Sequence, residues 1–264
     1  MAGRFDRLDL AYARAVRQLK DRLSGFAVAV FTRGGAWRDG DADRFVALLA
    51  PTVLAGQRQV AGLTDAWLSR RLSAQLGRPV RITTPPDRVT GRAVRDVDPD
   101  EMWRRPYVKV RTELAAGKSL TDAVNGGQVL VGSLVATGLQ LAKTHTFRAG
   151  LSGTDGVVGY RRVLTGSQSC ALCYVASMQR YFREDLLPIH PNCNCDVAPI
   201  VAGEDPGQVL DPDLLEGTHE AISQRFGAYD RGARAPDYRK VLLVREHGEL
   251  GPVLTVASHR FTHL

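Results

Sequence analysis

All four cysteines of this 264-residue chain, and one of its six histidines, fall between Cys170 and Cys195. They run Cys170-x2-Cys173, then an aromatic-rich stretch, then His190-Pro191-x-Cys193-x-Cys195. Thiolate and imidazole are donors that zinc prefers, and a CxxC pair places two thiolates at one turn, where both reach one ion at roughly 2.3 Å. Five donors (Cys170, Cys173, His190, Cys193 and Cys195) compete for four tetrahedral positions. Cys193 and Cys195 lie two apart, so in an extended segment their side chains share a face. Pro191 favours that form at His190, because the residue before proline avoids the helical region. Three causes account for such crowding: a structural metal, a disulfide formed late or in an extracellular particle, and buried thiols. Spacing and a reducing compartment favour the metal, with zinc as the ion. A catalytic zinc needs an open fourth position and a carboxylate base beside it. Glu184 and Asp185 are at hand, but four thiolates with a histidine describe a closed, structural site.

Other chemistry is weaker. Ser169, Ser177 and the histidines make a hydrolytic triad on paper only, since no GxSxG elbow occurs. His145 lies near an apolar helix face, where a histidine is more often a satisfied core residue than a ligand. No Walker A loop is present, and no GxGxxG follows a strand. Arg161, Arg162, Arg180 and Arg183 put positive charge around the cysteines. They could meet phosphates, but the simpler expectation is a solvated face.

The elements that must position the cluster are mostly helical. Tyr12, Val16, Leu19, Leu23, Phe26 and Val30 step by four and three, the stripe of an amphipathic helix that Gly34-Gly35 ends. Asp41 or Asp43 caps a second helix carrying Phe45, Leu48, Leu49, Val53, Leu63, Trp67 and the apolar run to Leu76, with Pro51 kinking it or opening a new helix. From Gly77 to about Pro99 the chain reads as loop, with a short strand at Val80 to Thr83. A further helical block begins at about Pro106, breaks at Gly117, restarts with Ser119 as N-cap, is interrupted at Gly126-Gly127 and ends at Gly150. Val157 to Leu164 reads as a strand entering the cysteine segment, where Tyr174, Met178, Tyr181 and Phe182 have helical spacing that would cover the site with apolar atoms. Asp196 to Val201 is a return strand. A Pro/Gly/Asp linker follows, then a short helix from Leu214 to Phe226 and two terminal strands about a turn at Glu246 to Gly251.

The resulting expectation is an α+β fold, with a mostly helical N-terminal two-thirds and a small α/β C-terminal lobe clipped by Cys and His. Its parts are a helical region at 1–100, a helical block at 101–153, the Cys/His lobe at 154–203, and a linker with short helix and strands at 204–264. Apolar residues make up 44% and charged residues 24%, the usage of a chain that folds. The start, MAGRFDRLDLAYARAV, is broken by charges and reads as no signal, and the least polar run, Gly126 to Ala142, is too short and polar for a membrane span. Synthesis and folding in a reducing cytosol are expected. The 35 Lys and Arg against 28 Asp and Glu leave a formal charge of +7, compatible with acidic partners but without a basic tract.

RVLTGSQSCALCYVASMQRY followed by LLPIHPNCNC resembles the C-terminal signature of the bacteriophage Mu F-like head morphogenesis proteins, the minor capsid proteins of tailed phages, in the version seen in phages of actinobacteria. The pattern is a CxxC, an aromatic-rich stretch and a His-Pro-x-Cys-x-Cys, matched by Cys170, Cys173, His190, Pro191, Cys193 and Cys195. LQLAKTHTFRAG and VREHGELGPVLT are similar to the family's flanks, so the likeness covers roughly residues 104 to 264. It implies a protein made in the host cytoplasm and built in few copies into the procapsid, inside the capsid beside the portal. There it would contact the portal protein, other capsid components and packaged DNA, and act in head assembly or DNA passage without a settled enzymatic activity. Two other classes stay open: a capsid maturation protease and a zinc-stabilised nucleic-acid-binding protein.

Overall fold

Residues 2–35, 37–163, 173, 176–177, 180–181, 195–203, 242–247 and 249–256 are described by the computed structural model. The protein is α+β: among these residues four α-helices precede a three-stranded antiparallel sheet and a two-stranded hairpin. Two units divide the chain, Met1–Leu68 with Ile82–Thr146, and Ser69–Arg81 with Phe147–Leu264. The expected helix at Leu214 to Phe226 and the linker before it lie outside the described residues.

In the first unit, α1 (Ala2–Thr32) buries Tyr12, Leu19, Leu23, Ala27 and Phe31. The expected stripe holds as far as Leu23 and then departs from it, for Phe26 is 40% exposed while Ala27 and Phe31 are buried. The reason is packing: Phe31 lies against Trp37, Phe45 and Tyr107, with ring centroids 4.9, 5.7 and 5.2 Å away, and this draws the buried face to the side of Ala27 and Phe31. Gly35, at φ +67°, supplies the left-handed turn that ends the helix.

Helix α2 (Asp39–Leu76) runs unbroken through Pro51, neither restarting nor ending there. Phe45, Leu49, Val53 and Val60 continue one buried stripe across the proline, so burial on both sides outweighs the lost backbone hydrogen bond. Tyr12 stacks on Trp67 at 5.2 Å, its hydroxyl lies 2.9 Å from Thr64 Oγ1, and Trp67 Nε1 donates to Asp9 at 2.9 Å. These contacts register α1 against α2.

No strand forms at Val80 to Thr83; two 3-10 turns, Pro86–Arg88 and Gly91–Ala93, follow instead. The segment is pinned by side chains of α2 rather than by a ladder. Asp65 accepts from Thr84 N–H at 2.7 Å and from its hydroxyl at 2.8 Å, and Gln57 Oε1 accepts from Gly91 N–H at 2.9 Å. Helix α3 (Pro99–Ala115) starts about two turns before the expected Pro106, because Asp98 caps it by accepting from Asp100 N–H at 2.9 Å and Pro99 supplies the preset φ of a first turn. Pro106 is interior and buried.

Gly117, at φ +83°, and Ser119, whose Oγ accepts from Asp122 N–H at 3.1 Å, separate α3 from α4 (Leu120–Ser152) as expected. The break expected at Gly126-Gly127 is absent. A Cβ on Gly127 would lie 2.5 Å from Phe31 Cζ and 2.9 Å from Val110 Cγ2, so this glycine allows close helix approach and does not interrupt α4. The core of this unit gathers side chains from all four helices, including Leu23, Phe31, Phe45, Leu49, Tyr107 and Val135.

In the second unit, β1 (Val157–Val163) is the central strand, with β2 (Arg180–Tyr181) and β3 (Asp196–Val201) on either side. β3 coincides with the expected return strand, and β1 covers the expected strand up to Val163, Leu164 lying outside the described residues. Val158 is extra in the β1/β3 register, Val157 facing Val201 and Gly159 facing Ile200, which bulges it into solvent. Pro199 is tolerated because β3 is an edge of the described sheet. Its carbonyl accepts from Gln75 Nε2 at 3.5 Å. β4 (Leu242–His247) and β5 (Gly251–Val256) form the expected terminal hairpin, closed by Leu250 N–H donating to His247 O at 3.2 Å.

Candidate functional site

The alternation of β1 places Tyr160 and Arg162 on one face, and both are buried. Tyr160 pairs across the ladder with Tyr181 of β2, and their rings stack 5.0 Å apart at 15°. This corrects the helical reading of the segment at Tyr181, for cross-strand pairing with β1 puts Arg180 and Tyr181 in a strand. The guanidinium of Arg162 stands 6.0 Å from the Tyr160 ring centroid and 5.7 Å from that of Tyr181, a cation–π arrangement. The same guanidinium reaches sulfur, with Arg162 Nη1 donating to Cys195 Sγ at 3.5 Å.

Cys195 stands one residue before β3 and is 3% exposed; Cys173, on the far side of the segment, is 4% exposed. Both sulfurs act on one phenol. Burial pushes Tyr181 up to about 12; the Arg162 guanidinium opposes the rise, and Cys195 and, less strongly, Cys173 add to it. The Tyr181 hydroxyl donates to Ala176 O at 3.0 Å, which ties β2 back to the residues after Cys173. Cys195 thus shares a buried environment with a cation and a phenol, and that phenol is tied to the residues that follow the buried Cys173.

Cys170, His190 and Cys193 lie outside the described residues, as do Ser169, Tyr174, Met178, Phe182, Arg183, Glu184 and Asp185. Among the described residues no three His, Cys, Asp or Glu side chains converge. The donor chemistry that is described fits zinc: two buried sulfurs, of which Cys195 accepts from the Arg162 guanidinium. Cys170, Cys173, His190, Cys193 and Cys195 are the residues that would hold it. His145, on α4, belongs to the first unit, and Ser177 to the second.

Arg162 is the residue the sequence misplaced. Expected on a solvated face, it is 4% exposed. The signal was its position two after Tyr160 in an alternating strand, which fixes a shared inward face once Tyr160 is taken as core.

Set against known protein families, curated proteins and solved structures, the chain matches none. No helix among the described residues is long and apolar enough to cross a membrane.

Proposed function

We propose that this chain is a tailed-phage minor capsid protein of the Mu F-like head morphogenesis kind, acting in procapsid assembly beside the portal and in the packaging or ejection of DNA. Its role is that of an assembly component rather than an enzyme, and a structural zinc held by the Cys/His cluster closes its C-terminal lobe. The observation that carries the reading is the Cys170-x2-Cys173 … His190-Pro-x-Cys193-x-Cys195 pattern. Burial of both Cys173 and Cys195 supports the zinc. A formal charge of +7 supports a place next to packaged DNA inside the capsid.

The test is co-expression with portal, scaffold and major capsid proteins from a phage genome encoding this chain. Assembly predicts that the chain co-purifies with portal and enters procapsids in few copies. Procapsids that form normally and exclude it would overturn the reading. Metal analysis with thiol titration tests the zinc separately: one zinc per chain is expected, and metal-free protein with four titratable thiols would remove it.

A further inference from the structure

Arg162 occupies the middle strand of the sheet, buried, with its guanidinium over two stacked tyrosine rings and 3.5 Å from Cys195 Sγ. Burying a guanidinium is unfavourable unless it is compensated. The tyrosine faces recover part of that compensation and fix the fork in one orientation, toward the sulfur. The sheet holds the arrangement rigidly, since the Tyr160/Tyr181 pair is in ladder register and the Tyr181 hydroxyl is tied to Ala176 O.

A zinc site with three or four thiolates carries net negative charge, and in a dry lobe that charge needs a partner. We propose that Arg162 is the built-in counter-charge of the Cys/His metal centre: it donates to the Cys195 thiolate while that sulfur binds zinc, and Cys173 and Cys195 are two of the four ligands. This rests on the zinc reading above. Arg162 does not touch the ion; it is a positioning residue that orients one ligand and balances the set. Outer-shell donors of this kind change metal affinity by about 10–100-fold when removed.

The experiment uses the full chain loaded with zinc or Co2+ and compares Arg162→Met, Arg162→Lys and the neighbouring control Arg161→Met. Competition with a chromophoric chelator gives zinc affinity, and the near-ultraviolet thiolate-to-cobalt charge-transfer bands report on the sulfurs directly. Arg162→Met should weaken zinc binding about 10–100-fold and shift the charge-transfer bands, Arg162→Lys should fall between it and wild type, and Arg161→Met should match wild type. Should Arg162→Met not fold, the Arg162→Lys comparison decides the question, because lysine keeps the charge and loses the fork. Unchanged affinity and bands in the Arg162 variants, with zinc bound by wild type, would overturn the counter-charge and leave the zinc reading intact. A wild-type chain that binds neither zinc nor cobalt would overturn both.

Discussion

Tyr107 is fully buried against Phe31, Trp37 and Phe45, with ring centroids 5.2, 5.5 and 5.5 Å away, and its hydroxyl has no hydrogen-bond partner among the described residues. Removing that orphaned oxygen relieves a desolvation penalty, so Tyr107→Phe should raise stability by about 1 kcal/mol in denaturant titration. A loss of similar size would mean that the oxygen has a partner, such as an ordered water. Gly34 leaves room for this hydroxyl, since a Cβ there would approach it to 2.4 Å. Gly34→Ala should therefore destabilise the wild type by about 1–3 kcal/mol and cost less in the Tyr107→Phe background. Tyr107 and Tyr181 are each pushed up to about 12, first by burial, from an ordinary value of 10.0. A phenol whose folded value is raised stabilises the fold fully below about pH 10, and that contribution is lost as pH climbs toward 12. Absorbance at 295 nm should show at least two late-titrating tyrosines whose ionisation coincides with alkaline unfolding; all seven titrating near 10 in folded protein would contradict the burial of these rings.

At the scale of elements, glycines in helices separate two roles. Gly127 in α4 faces Phe31 and Val110 at distances no Cβ tolerates, whereas Gly132 in the same helix has nothing within 4 Å of an added Cβ. Gly127→Ala should destabilise by about 1–3 kcal/mol through overpacking, while Gly132→Ala should stabilise by roughly 0.5–1 kcal/mol through helix propensity. Thermal unfolding of the pair checks both, and equal effects would contradict the close approach. Asp98, the N-cap of α3, should cost about 1 kcal/mol when changed to Ala. Signals that act within one turn of chain were legible here: Gly117 with Ser119 separating two helices, Gly35 ending α1, the β-branched run of β1 and the hairpin of β4 and β5. Signals that depend on a partner misled. Pro51 and the Gly126-Gly127 pair look like breaks, yet both sit in helices whose buried stripes continue on either side.

For the whole molecule, the hydrophobic core of the four helices lies in the first unit, while the cysteine cluster belongs to the second. If the cluster holds the proposed zinc, stripping it with a chelator should abolish protection of β1 and β3 amides in hydrogen exchange and leave the core of α1 to α4 protected. Uniform loss of protection would show that the two units fold as one. The fold class could be read in advance because it rests on periodicity and turn residues, properties of neighbours along the chain. The sequence by itself determined that four thiols and a histidine crowd one segment entered and left by short strands. Only the tertiary structure decided which helix breaks were overridden, that Phe26 gives way to Ala27 and Phe31, and that Arg162 leaves solvent to stand between two tyrosines and a cysteine sulfur. Each of those outcomes is set by what packs against the residue from a distant part of the chain, and burial of that kind outweighs a local preference of a few kcal/mol or less.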